Sequence, residues 1–179
     1  MKKSHFVLVI LFIILSCQKK DNYSQLTYNQ KANELIEQVL KNDSCNCLLE
    51  IPHESMIKIS MTESPRFDII RKKIMEKLNL EGEHQLDSLE KVSENFVLDS
   101  LLLKKNNITI FRIDSIHELT EDRSTKLIKK CPNGILYCTK PILNKDKTAV
   151  LFYGQAFNCF GPQLRVYNYK NEKWVYEKN

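Results

Sequence analysis

The segment Thr148–Ala156, TAVLFYGQA, restricts the fold of this chain more than any other stretch. In a strand, successive side chains point to opposite faces. Ala149, Leu151 and Tyr153 therefore share one face, and Val150, Phe152 and Ala156 the other. Both faces are apolar, which suits an interior strand covered on both sides. Gly154 leaves a gap that an aromatic side chain from a neighbouring strand can fill. Upstream, 135–143 has an extended pattern and NKDK at 144–147 is a turn cluster. Downstream come a strand at Gln163–Tyr169, a turn at KNEK (170–173) and a last strand at WVYEK. Connections this short force antiparallel neighbours. The C-terminal part is expected to be a β-meander, with 148–156 between 135–143 and 163–169.

The N-terminal part has helical spacing instead. Thr27 and Gln30 make a capping box, and Tyr28, Ala32, Leu35, Ile36, Val39 and Leu40 fall on one face. Ser64 and Pro65 start a second helix with Phe67, Ile70, Ile74 and Leu78 as its apolar stripe. After Gly82, a third helix runs from about His84 to Asn95, with Leu86, Leu89, Val92 and Phe96 at helical intervals. Cys47–Ile51 is extended, Ile57, Ile59 and Met61 alternate as in a strand, and Ile108–Ile113 is β-branched and strand-like. LLLKK at 101–105 fits a helix or a strand, and a short helix is expected between Glu118 and Lys130. The fold class is α+β, with N-terminal helices packed on one face of a C-terminal antiparallel β-meander.

Composition excludes several functions. The chain has only four glycines, at Gly82, Gly134, Gly154 and Gly161, too dispersed for a phosphate-wrapping loop. Its charges are mixed along the sequence, without the basic face of a nucleic-acid binder. No G-x-S-x-G elbow occurs and the carboxylates are scattered. His117-Glu118-Leu119-Thr120-Glu121 has the start of a zinc-protease helix but Glu121 where the second histidine belongs, so two imidazoles cannot meet there. His53 and His84 have no partner at that spacing either. No catalytic residue, cofactor, metal site or nucleic-acid partner is expected, and the balance leans away from an enzyme.

The N-terminus sets the location. Lys2 and Lys3 precede an unbroken apolar run, Phe6–Leu15. A membrane-spanning helix needs about 20 residues, so the run suits the core of a secretory signal peptide. It ends in Ile14-Leu15-Ser16-Cys17, which resembles the lipobox of bacterial lipoproteins. The resemblance implies that residues 1–16 are removed and that Cys17 carries the acyl chains, palmitate among them. It also implies that Cys17 and the polar residues to Ser24 tether a single domain, 25–179. Loss of the leader takes Lys2 and Lys3 with it, leaving 25 basic residues against 22 acidic. Inner-membrane lipoproteins often have Asp after the cysteine; Gln18 here favours the outer membrane. Lys19-Lys20-Asp21 resembles a surface-export tag with one acid too few, which leaves periplasmic and outward orientations both open.

The C-terminal order NKDKTAVLFYG, then Cys159, Gly161 and VYNYKNEKW, resembles the end of many small secreted or lipid-anchored bacterial proteins of unknown function. Such ends often carry two cysteines in the loop, whereas Cys159 is alone here. Beyond Cys17 the chain has Cys45, Cys47, Cys131, Cys138 and Cys159, an odd count that leaves a thiol over in an oxidising compartment. Pro132-Asn133-Gly134 could turn a hairpin and join Cys131 to Cys138; the other reading buries both as small hydrophobes. A third pairing would join Cys45 or Cys47 to Cys159. Cys45-Asn46-Cys47 could also be a redox or metal-binding pair.

The aromatics Tyr153, Phe157, Phe160, Tyr167, Tyr169, Trp174 and Tyr176 crowd the meander. They read mainly as core and cross-strand pairs. The functional expectation is a non-catalytic, lipid-anchored envelope protein that binds an unidentified partner through its meander and the 157–162 loop, with Phe157, Phe160 and Tyr169 as the contact residues. A thiol-redox or metal-binding role for Cys45 and Cys47 is the competing expectation.

Overall fold

The structure is a computed structural model that describes residues 25–42, 46–51, 67–112, 123–156 and 160–178. Helix α1 spans 25–42, and all six apolar residues of its predicted stripe are buried. Thr27 lies inside this helix rather than at its cap. There follow β1 (Cys47–Leu49), α2 (Phe67–Lys77), α3 (Glu83–Glu94), α4 (Ser100–Lys105), β2 (Thr109–Phe111) and α5 (Arg123–Lys130). The chain ends in β3 (Ile135–Cys138), β4 (Ile142–Leu143), β5 (Thr148–Ala156), β6 (Phe160–Lys170) and β7 (Lys173–Tyr176). LLLKK is therefore helical; the Asp99 carboxylate caps α4 by accepting from the N–H groups of Leu101 and Leu102, both at 3.0 Å. The predicted strand at 57–61, the Ser64-Pro65 cap, His53 and His117 lie outside the described residues.

One sheet has the order β2-β1-β3-β5-β6-β7, with β4 also paired to β5. β5 is interior as expected, with β3 and β4 end to end along one side and β6 along the other. Between β3 and β4, Thr139 bridges the break: its N–H donates to the Phe152 carbonyl (2.9 Å), and its hydroxyl accepts from the Phe152 N–H (3.1 Å). The antiparallel meander continues through β6 and β7. Asn171 and Glu172 both have positive φ, the signature of the two-residue turn that matches strand twist. Tyr137 sits opposite Gly154, and a Cβ built on Gly154 would overlap the Tyr137 ring, so the aromatic fills the glycine gap.

Two features differ from the sequence expectation. The sheet is mixed, because β1 pairs in parallel with both β2 and β3. Helices also cover both faces of the sheet, not one. Ala149, Leu151 and Tyr153 pack with Leu35, Ile36, Val39 and Leu40 of α1. Val150 packs with Ile74 of α2, with Leu78 just beyond that helix and with Leu86 of α3, and Phe152 lies against the same cluster. The physical reason is β5 itself: two apolar faces need two covers. Fully burying one Leu or Ile side chain contributes about 1.5–3 kcal/mol.

Candidate functional site

The site grows out of an edge-strand problem. In the β6–β7 hairpin, Tyr169 faces Trp174, and β7 is an edge of the sheet. The free side of an edge strand presents unpaired backbone groups. Gln38, near the end of α1, closes that side at Trp174. Its carboxamide oxygen accepts the Trp174 N–H at 3.0 Å, and its NH₂ donates to the Trp174 carbonyl in a very short contact. The helix is thus clipped to the hairpin, and the surfaces beside the clip form a groove of about 660 Å³.

The groove wall is half polar helix and half aromatic hairpin. Lys31 donates to the Tyr169 hydroxyl at 2.8 Å and to Glu34 at 2.6 Å, with its ammonium 4.1 Å from the Tyr169 ring centroid. Burial works against the Lys31 charge, but Glu34 and Tyr169 outweigh it and raise the pKa above the ordinary lysine value. Glu37 accepts from Lys41 and from Asn106, both at 2.6 Å. The Tyr169 and Trp174 rings meet edge to face at 5.1 Å. Trp174 is buried, and its indole N–H has no acceptor among the described residues.

Lys31, Glu34, Glu37 and Lys41 are paired with one another along the helix. Such a wall offers hydrogen-bonding side chains beside the ring of Tyr169. A smaller cleft of about 390 Å³ lies between the α2–α3 connection and the 144–146 turn, lined by Leu80, His84, Asn144 and Asp146 among others.

Of the residues singled out in the sequence, Tyr169 lines the groove. Phe160 opens β6, its backbone paired with Gln155. It stands nine positions from Tyr169, about 30 Å at strand spacing, so the two are not brought together. Phe157 and Cys159 lie outside the described residues, as do Cys17 and Cys45. Of the aromatics read as core or cross-strand pairs, Tyr153, Tyr167 and Trp174 are buried, Tyr169 is half-buried, and Tyr176 is exposed while pairing across the strands with Tyr167.

None of the pairings left open by the sequence forms among the described cysteines: the candidate Cys131–Cys138 bridge is absent, and Cys47 is not available to Cys159. Cys47 is bonded to Cys131, with Cα atoms 5.9 Å apart, and Cys138 is free. The reason is local. Cys131 follows α5, and the Pro132–Gly134 turn sends the chain into β3, so no strand pair exists across which Cys131 and Cys138 could meet. Gly134 takes the positive φ of that turn and donates to the Cys131 carbonyl at 2.9 Å. Cys47 on β1 lies beside this turn because β1 and β3 are adjacent, and the bridge packs with Ile135. The bond also removes Cys47 from a Cys45–Cys47 redox pair. Cys138 faces the α1 core, where burial pushes its thiol up to about 12 and makes it inert at neutral pH. No cluster of three His, Cys, Asp or Glu side chains able to hold a metal occurs among the described residues.

Sequence reading misses Lys31 and Gln38. The polar series Gln30, Lys31, Glu34, Gln38 and Lys41 looks like an ordinary solvated helix face, and only the position of the hairpin turns it into a wall. The chain matches no protein-family model, no curated protein and no solved structure.

Proposed function

We propose that this is a lipid-anchored protein of the bacterial cell envelope, held at the outer membrane through Cys17, whose single domain binds a polar partner non-catalytically in the groove between α1 and the β6–β7 hairpin. The groove is the observation that carries the binding part. It combines an aromatic pair, Tyr169 and Trp174, with side chains whose charges are already balanced. Such a surface favours a neutral, hydrogen-bonding chain, such as an oligosaccharide or an extended peptide, over a highly charged ligand. The anchor rests on the basic start, the apolar run and Ile14-Leu15-Ser16-Cys17.

Trp174 is the sole tryptophan of the chain, so its fluorescence reports on this wall directly. Titration with short oligosaccharides and peptides should give a saturable emission change with one of these classes. Tyr169→Ala and Lys31→Met should each weaken the response about tenfold or more, with both variants still unfolding in a single cooperative transition. A flat titration with both classes, or an undiminished response in Tyr169→Ala, would remove the groove from consideration. Palmitate labelling that persists in Cys17→Ala would refute the anchor.

A further inference from the structure

The lipid anchor joins the domain at one end of α1, and that end carries an exposed apolar surface. Leu26 is 69% exposed, Val97 65% and Leu101 77%, among the most exposed large apolar residues described. They come from two parts of the chain that hydrogen bonds hold together. Leu26, Asn29 and Asn33 lie on one stripe of α1, spaced by three and four residues. The Asn29 carboxamide oxygen accepts the Val97 N–H at 3.2 Å. Asn33 donates to the Val97 carbonyl at 2.8 Å and accepts the Asp99 N–H at 2.7 Å. Gln25 donates to the Asn95 carbonyl at 3.3 Å. The 95–99 segment therefore runs along the first turns of α1, with Asn95 beside Gln25 and Val97 beside Asn29 and Asn33, one to two turns from Leu26. Asp99 then caps α4, whose first turn presents Leu101.

Lys104 and Lys105 are exposed and share a face of α4 with Leu101, at three and four residues beyond it. Of the acids at this helix's two ends, Asp99 has its carboxylate committed to the N-terminal cap and Glu37 accepts from Lys41 and from Asn106 at the C-terminal end. Glu94 lies beside Lys140, whose ammonium donates to the Glu94 carbonyl at 2.8 Å. Apolar side chains rimmed by lysines match an anionic bilayer interface, with the alkyl stems among acyl chains and the ammonium groups at the phosphates.

We propose that Leu26, Val97 and Leu101, rimmed by Lys104 and Lys105, seat the domain on the bilayer that holds its own anchor. The proposal rests on the lipidation reading above, and the length of the tether selects the occupant. Cys17 is eight residues before Gln25, a reach of at most about 28 Å. The first turn of α1 is thus the part of the described domain that the anchor holds closest to the lipid.

The test uses the full lipidated protein in vesicles of phosphatidylethanolamine and phosphatidylglycerol. A photo-crosslinking amino acid replaces Val97, Leu101 or, as a control, Lys145 in the turn between β4 and β5. Illumination should give about tenfold more lipid adduct at positions 97 and 101 than at 145. Lys104→Glu with Lys105→Glu should lower the adduct at 101 about threefold in these vesicles and hardly at all in neutral phosphatidylcholine. Palmitate incorporation is measured in the same samples. Absence of palmitate overturns the anchor reading, and the seating with it. Lipidated protein whose adducts at 97 and 101 are with a second copy, with another protein or with its own tether overturns the seating alone, as does equal lipid adduct at all three positions.

Discussion

The two faces of β5 are covered by helices held in two chemically different ways. On the α1 face the ties to the rest of the domain are mostly uncharged. Gln38 clips the Trp174 backbone, the Tyr28 hydroxyl donates to the Pro141 carbonyl at 2.8 Å, and Asn29 and Asn33 hold the 97–99 segment. On the α2–α3 face ionic ties predominate, beside a neutral bond from the Asn144 carboxamide to the Leu78 carbonyl at 2.9 Å. Arg71 of α2 meets three carboxylates of α3: Asp87 at 2.7 Å, Glu90 at 3.4 Å and Glu83 at 3.7 Å. Lys77 reaches Glu177, just beyond β7, at 2.9 Å. The contrast follows from what each helix meets. α1 passes backbone groups that the sheet leaves unpaired, and a neutral amide satisfies both a donor and an acceptor. α2 and α3 meet each other through long side chains, where complementary charges suit. Salt and acid should therefore act on the Arg71 and Lys77 ties, while the Gln38 clip, made of two neutral hydrogen bonds, stays indifferent to both.

The largest expected effect tests whether there are two covered faces at all. Val150 is 2% exposed, under α2 and α3, and Leu151 is 0% exposed, under α1. Val150→Lys buries a cation without a partner and should cost several kcal/mol. Against a total stability of about 5–15 kcal/mol, that variant should lose its cooperative unfolding transition, and Leu151→Lys should do the same. A Val150→Lys protein with an unchanged denaturation midpoint would show that the α2–α3 face is not a core.

A smaller change sharpens the contrast. The Arg71 and Glu90 side chains are 11% and 9% exposed, so their pairing is largely shielded from water. Burial alone would weaken the Arg71 charge; the Asp87 hydrogen bond and the charges of Glu90, Asp87 and Glu83 more than offset it and raise its pKa. Arg71→Met takes a cation from beside the largely buried Glu90 carboxylate and should cost about 3–5 kcal/mol in urea unfolding. Arg71→Met combined with Glu90→Leu should recover most of that loss, because a matched apolar pair removes the buried charge. A double variant no better than the single would mean that packing of the arginine stem, not its charge, secures α2 to α3.

What the sequence discloses and what it hides follow the same physical division. β5 is legible because its alternation is local: each side chain's face is fixed by its neighbours in the chain. The α1 stripe, the turns at 144–147 and 170–173 and the Gly154 gap are legible for the same reason. The parallel pairs of β1 are not. Three residues carry too little pattern to name partners 62 and 88 positions away, Cys47 with Thr109 and Leu48 with Leu136. The Cys47–Cys131 bond is hidden with them, since it depends on β1 lying beside β3. The groove is hidden because its two walls are unremarkable separately: a polar helix face and an aromatic hairpin become a site only once Gln38 joins them.

Acid gives the smallest and most selective test of the contrast. Lys77 and then Asn168, at 3.1 Å, hydrogen-bond the Glu177 carboxylate and hold its pKa below the usual carboxylate value, against a slight opposing effect of burial. In acid the unfolded chain therefore binds a proton at this group before the folded one does. Its contribution to stability is fully present above the unfolded value, about 4.3, and is lost as pH falls through the lower folded value. Glu177→Gln keeps the shape and an acceptor but cannot titrate. The stability difference between wild type and Glu177→Gln should be constant above about pH 5 and shrink toward zero below about pH 4. Added salt should shrink it as well, because the pair is exposed to solvent. Gln38→Ala removes two neutral hydrogen bonds and should cost about 1–3 kcal/mol, the same amount at each pH and salt concentration. If its cost also falls in acid, the α1 clip is coupled to a titrating group and the division between a neutral and an ionic face fails. If instead the Glu177→Gln difference stays flat from pH 6 to about pH 3, the Lys77–Glu177 pair does not tie α2 to the end of the sheet in solution.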